Sequence, residues 1–159
     1  MAVKVAILTI SDSCAQGKRA DKSGQTIEDI LPEDKFELCE KTIVPDDYQA
    51  IAKALRRFSD GQGIDVILTT GGTGLGPRDV TPEATASVCE RMVPGLAEIL
   101  RAEGFKKTPN AVLSRGIAAI RKNTLITNLP GSPRAVRECL EIILDVLPHA
   151  VDMMRGGGH

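Results

Sequence analysis

The chain has 159 residues, a formal net charge of −1, three Phe, one Tyr and no Trp. That length suits one domain able to bury roughly 70% of the surface its unfolded chain exposes, while near-neutral charge and scarce aromatics exclude a general nucleic-acid binder. No stretch approaches the roughly 20 apolar residues of a membrane span, and the short N-terminal apolar run lacks a signal-peptide cleavage pattern, so a cytoplasmic protein away from membranes is expected.

From the N-terminus, Val3 to Ile10 is a nearly continuous apolar run, the pattern of a strand covered on both faces. Ser11 and Asp12 open a polar loop, and Gln25 to Leu31 predicts a short helix ended by Pro32. Phe36 to Val44 predicts a second strand, more exposed because its apolar residues are interrupted. Pro45-Asp46-Asp47 then introduces a helix with Tyr48, Ile51, Ala52, Leu55 and Phe58 on one face, and one of the two aspartates caps it. Asp65 to Thr70 is a third, buried strand.

Helices are expected over 82–91 and 95–104, the first with Thr81 as N-cap and Pro82 at its first position. Between Ala111 and Leu129, Gly116 to Ile120 reads as a short strand and Thr124 to Leu129 as a stronger one. After Pro130-Gly131, a Ser132-Pro133 pair starts a helix running to about Leu147, with Val136, Leu140, Ile143 and Leu147 at helical spacing. Residues 1–154 are expected to form one domain and Arg155 to His159 a flexible tail. The strand–helix alternation predicts a three-layer α/β/α fold, with a mostly parallel sheet and helices on both faces.

Cys14, Cys39, Cys89 and Cys139 are scattered without a Cys-x-x-Cys pair and read as reduced thiols. Two of them, Cys89 and Cys139, fall in expected helices. His149 and His159 lack ligand spacing, which argues against zinc.

The densest chemical signal is residues 69–84, Thr-Thr-Gly-Gly-Thr-Gly-Leu-Gly-Pro-Arg-Asp-Val-Thr-Pro-Glu-Ala. Glycines between a strand and a helix let successive N–H groups approach an anion. It is not a P-loop, having no Gly-Lys-Ser/Thr, and Pro77 breaks the dinucleotide fingerprint. In open parallel sheets, ligands sit beyond the carboxyl ends of the strands. Ser11-Asp12, Pro45-Asp46-Asp47, Gly71 to Asp79 and Pro130-Gly131-Ser132 all follow strands, so they are expected on one edge. Two anion-binding turns and two or three carboxylates there suit a phosphorylated ligand with Mg²⁺. Plainer roles exist for each piece: Asp12 in a turn, Ser132 as a cap, Arg78 and Asp79 as a surface ion pair.

Together these residues resemble the molybdopterin adenylyltransferase family, related to the G domain of gephyrin-type proteins. The resemblance rests on Thr69-Thr70-Gly71-Gly72-Thr73-Gly74 and Arg78-Asp79-Val80-Thr81-Pro82-Glu83-Ala84. Ile10-Ser11-Asp12, Pro45-Asp46-Asp47, Ser114-Arg115-Gly116 and Asn128-Leu129-Pro130-Gly131-Ser132-Pro133 support it, in the family's order. It implies a homotrimer that converts ATP and molybdopterin into adenylyl-molybdopterin and pyrophosphate with Mg²⁺, upstream of a molybdenum-insertion protein. The family's two functional aspartates correspond to Asp46 and Asp79, which are expected to hold the metal. Ser11, Asp12, Thr70, Gly71, Gly72, Thr73, Gly74, Arg78, Ser114, Arg115, Pro130, Gly131 and Ser132 are the candidate substrate contacts, Gly71 to Gly74 through their N–H groups. The attacking pterin phosphate, with a second pKa of ~6, is ionised at neutral pH and needs no general base. A non-catalytic pterin-binding scaffold is the alternative from another class; a phosphohydrolase has no feature that positions water.

Overall fold

Strands whose apolar side chains alternate between two buried faces build the centre of the molecule. A computed structural model describes residues 1–61 and 63–158; His159, and with it the end of the expected tail, lies outside the described residues. Six strands form one sheet: β1 (Val3–Ile10), β2 (Phe36–Val44), β3 (Val66–Thr70), β4 (Arg91–Met92), β5 (Ala118–Arg121) and β6 (Thr124–Leu129), in the order β2-β1-β3-β6-β5-β4. β2, β1, β3 and β6 are parallel. β5 runs antiparallel to β6, and β4 antiparallel to β5.

The helices are α1 (Asp12–Ala15), α2 (Lys22–Ile30), α3 (Tyr48–Gly61), α4 (Thr81–Val88), α5 (Pro94–Lys107), α6 (Pro133–Ile143) and α7 (Leu147–Met154), with a 3₁₀ turn at Pro109–Leu113. Alternation along the strands divides the core in two. Val5, Ile7, Leu68 and Leu125 pack on one face with Ile27, Val136, Leu140 and Leu147. Ala6, Leu8, Ile67 and Ile126 pack on the other with Ile51, Leu55, Phe58 and Val88. The expected three-layer fold with a mostly parallel sheet is therefore the fold observed.

Four local expectations change. The helix after Pro82 stops at Val88, because Arg91 and Met92 pair with Ile120 and Ala119 as an edge strand. The last long helix ends at Ile143 and restarts at Leu147, because Pro148 has no N–H to give the carbonyl four residues before it and is tolerated only in the first turn of a new helix. α2 begins earlier, at Lys22, because the Asp21 carboxylate accepts the Gly24 N–H at 2.9 Å. Arg155, assigned to the tail, is held by the Asp65 carboxylate at 2.7 Å.

The chain passes from β1 outward to β2, then returns to add β3 on the other side of β1. The loops leaving β1 and β3 diverge there, opening a crevice at their carboxyl ends.

Candidate functional site

The glycine loop starts where β3 leaves the sheet. Gly71 has φ +100, and a Cβ on it would lie 2.2 Å from the Ile10 carbonyl oxygen. Gly72 has φ +69 and leaves no room for a Cβ beside the Thr81 hydroxyl, 2.2 Å away. That hydroxyl donates to the Gly71 carbonyl at 2.9 Å, so Thr81 holds the loop and is not the helix cap; α4 is preceded by Val80 with no side-chain cap.

Two bonds sew this loop to the one after β6. The Thr70 hydroxyl donates to the Pro130 carbonyl at 2.7 Å, and the Gly71 N–H to the Leu129 carbonyl at 3.2 Å. Gly71 therefore spends its N–H on the fold. Those of Gly72, Thr73 and Gly74 have no acceptor among the described residues. Ser132 is the cap of α6, its hydroxyl accepting the Ala135 N–H at 3.2 Å.

The carboxylates sort into distinct roles. Asp47 caps α3, accepting the Ala50 N–H at 2.8 Å. Asp12 and Asp46 accept each other's backbone N–H, both at 3.0 Å. Arg78 binds Asp12 through two nitrogens, at 2.6 and 3.0 Å, instead of pairing with Asp79. The Arg78 hydrogen bonds hold the Asp12 carboxyl below the usual range. Burial pushes Asp46 up, and the charges of Asp12 and Asp79 add to that. Asp79 is positioned by the Gly76 N–H on Oδ2 at 2.9 Å, and a Cβ on Gly74 or Gly76 would press on that oxygen from 2.9 Å.

Asp46 and Asp79 line a polar chamber of about 220 Å³, with Thr9, Ser11, Thr70, Gly71, Gly72 and Gly131. Ser11 also caps α1, a helix absent from the sequence reading, by accepting the Cys14 N–H at 3.2 Å. Cys14, Arg19, Lys22 and Ser23 line the chamber too. Sequence reasoning missed them because they lie in a polar segment with no glycine or carboxylate motif.

Arg115 does not line the chamber; it braces the loop from behind. Its backbone N–H donates to Thr73 O at 2.9 Å, its Nε to Gly74 O at 2.8 Å and its Nη2 to Asp79 O at 2.6 Å, while Nη1 meets Glu83. Ser114 lines a second cavity of about 260 Å³, with Leu100, Gly116, Asn128, Pro130 and Cys139, whose walls are mainly apolar. Pro130 faces this second cavity and Gly131 the chamber, so one turn separates the two.

The oxygens Asp46 Oδ1 and Asp79 Oδ1 accept no hydrogen bond among the described residues. Two carboxylates with open oxygens lining one polar chamber fit Mg²⁺. That ion takes one or two protein carboxylates and completes its shell with water and phosphate oxygens.

A family model described as a probable molybdopterin binding domain matches residues 6–149. The molybdopterin adenylyltransferase of Helicobacter pylori strain J99 is 41% identical over 156 residues, 97% of this chain and 89% of that protein. The crystal structure of the molybdopterin biosynthesis enzyme MoaB from Thermus thermophilus superposes with a TM-score of 0.92 at 50% identity, covering 98% of each chain. The structure of the molybdopterin biosynthesis Mog protein from Mycobacterium ulcerans superposes with a TM-score of 0.89 at 39% identity, covering 98% of this chain and 99% of that one.

Proposed function

The chain belongs to the family of probable molybdopterin binding domains, and from that premise we propose that it transfers an adenylyl group from ATP to molybdopterin. The observation that carries this reading is the pairing of two receptors across one turn. A polar chamber with two carboxylates and the unbonded Gly72 N–H, continued by those of Thr73 and Gly74 just beyond its lining, abuts an apolar cavity through Pro130 and Gly131. A flat pterin ring suits the apolar cavity, with the Ser114 hydroxyl as a polar anchor in its wall. Phosphates suit the chamber.

The reacting groups are both anionic, so catalysis rests on positioning and charge neutralisation. Asp46 and Asp79 would hold Mg²⁺, which would polarise phosphate oxygens. Gly72, Thr73 and Gly74 donate N–H groups to phosphate oxygens. Arg115 keeps those donors aligned by gripping the carbonyls of Thr73, Gly74 and Asp79. Neither a histidine nor another general base is required, since the pterin phosphate arrives ionised. Within this reading the chain acts as a cytoplasmic homotrimer and passes its product to a molybdenum-inserting protein.

The test is pyrophosphate release from ATP, Mg²⁺ and molybdopterin, with adenylyl-molybdopterin identified by mass. Pterin binding without pyrophosphate would overturn the enzyme reading and favour a binding scaffold, for which two open carboxylates serve no purpose.

A further inference from the structure

We propose that Arg19 and Lys22 form the cationic wall of the chamber and bind the pyrophosphate portion of the nucleotide. The proposal rests on the adenylyl-transfer reading. In that reaction an oxygen of the pterin phosphate forms a bond to the α-phosphorus of ATP. The bond from that phosphorus to the bridging oxygen breaks, and pyrophosphate leaves with the electron pair. The departing group gains negative charge as it separates, so a cation placed against it stabilises the transition state more than the ground state.

Three observations point to these two side chains. They are the lysine and arginine that line the chamber holding Asp46 and Asp79. The other cations nearby are committed: Arg78 to Asp12, and Arg115 to the loop carbonyls and Glu83. Arg19 and Lys22, by contrast, have no side-chain hydrogen bond or ion pair among the described residues, so both are available to a ligand in the chamber they line.

The nearest acid in sequence does not neutralise Lys22 by contact. One oxygen of Asp21 accepts the Gly24 N–H at 2.9 Å and the other the Thr9 hydroxyl at 2.8 Å. These bonds pin the start of α2 to β1, and a Cβ on Gly24 would lie 2.2 Å from Asp21 Oδ2 and 2.5 Å from Thr9 Oγ1. The segment carrying Lys22 is thus held tightly against the sheet, while its ammonium remains available. Charge balance gives the same answer. A divalent ion held by Asp46 and Asp79 would bring two positive charges to two carboxylates, so a polyphosphate would still need other cations to match it.

The experiment titrates inorganic pyrophosphate, with Mg²⁺ present, into the protein and its variants by calorimetry, and measures steady-state pyrophosphate release in parallel. The Arg19→Gln/Lys22→Gln double variant should bind pyrophosphate about tenfold more weakly or worse, as expected for the loss of charge-assisted hydrogen bonds. Its KM for ATP should rise, its turnover fall, and its affinity for molybdopterin remain unchanged. Lys22→Arg should recover most of the loss, and Lys18→Gln, an exposed neighbour that does not line the chamber, should match the wild type. Equal pyrophosphate affinity in wild type and a folded double variant overturns the proposal, as does absence of pyrophosphate binding by the wild type. If the wild type binds pyrophosphate through Lys22 yet forms none from ATP, the wall stands and the adenylyl-transfer reading falls.

Discussion

Asp12 and Asp46 hold each other reciprocally, the carboxylate of each accepting the other's backbone N–H at 3.0 Å. The loop after β1 and the loop after β2 are thereby locked together at the mouth of the crevice. Arg78, clamped on Asp12, draws the loop after β3 into the same unit. Asp12 is therefore a positioning residue for Asp46. Asp12→Ala removes the acceptor for the Asp46 N–H and frees Arg78. We expect turnover to fall about tenfold or more, equivalent to ~1.4 kcal/mol of barrier, with a small loss of stability as the backbone hydrogen bond goes. Pyrophosphate-release kinetics and thermal melts check this. Unchanged kcat in a folded variant would refute the positioning role.

Asp79→Asn separates charge from shape. The amide oxygen can still accept the Gly76 N–H that seats Asp79, so the loop keeps its form and the melting temperature should hold. The lost negative charge weakens Mg²⁺ binding, and we expect turnover at least tenfold lower, or ~1.4 kcal/mol of barrier. Raising the Mg²⁺ concentration should recover part of it. Wild-type turnover in this variant would remove Asp79 from the metal site.

Gly71 is the position where a side chain is least tolerable. Gly71→Ala combines a strained φ of +100 with a Cβ 2.2 Å from a backbone oxygen that no rotamer change can move. We expect a cost of about 3 kcal/mol or more, which lowers the melting temperature by roughly 6–12 °C for a domain of this size. Gly95→Ala, in α5 with open space around it, should instead stabilise by ~0.5–1 kcal/mol. A Gly71→Ala melt within a degree of wild type would contradict the close approach.

Much of this architecture was legible because the two central parallel strands β1 and β3 are buried on both faces and read as largely apolar runs, Val3–Ile10 and Val66–Thr70, while the edge strand β2 alternates as its interrupted pattern predicts. The convergence of the four loops followed from topology alone, since parallel strands deliver their carboxyl ends to one edge. What stayed hidden was pairing. Arg78 stands next to Asp79 in sequence but bonds Asp12, 66 positions away. Arg115 belongs to a motif read as ligand-binding, yet its guanidinium is spent on carbonyls of the glycine loop. Thr81 has the residue type of a helix cap and instead tethers Gly71. In each case a long-range partner competes with the local role that the sequence suggests. β4 was missed for a related reason, Arg91 being read as the end of a helix and Met92 as loop: these two exposed residues carry no strand pattern of their own and take their conformation from pairing with β5.

Acid stability should report on the far end of the sheet, well away from the crevice. Asp60, on α3, accepts from Arg121 at 2.7 and 3.1 Å and pairs with Lys122 at 2.9 Å, tying α3 to the turn between β5 and β6. Hydrogen bonds from Arg121, then from Lys122, lower its pKa to about 2. An unfolded aspartate titrates near ~3.9. Since the folded pKa is the lower one, the folded state favours the ionised form. Its stabilising contribution is fully present above the unfolded value and disappears as pH falls from there through about 2. Asp60→Asn should therefore melt below wild type at neutral pH. Because the pair is solvent-accessible, the gap should be small and shrink with added salt. As pH drops below the ordinary carboxylate range the two melting curves should converge. Melts across that range, at low and high ionic strength, are the measurement. A gap independent of pH would assign the effect of Asp60 to packing instead of its charge.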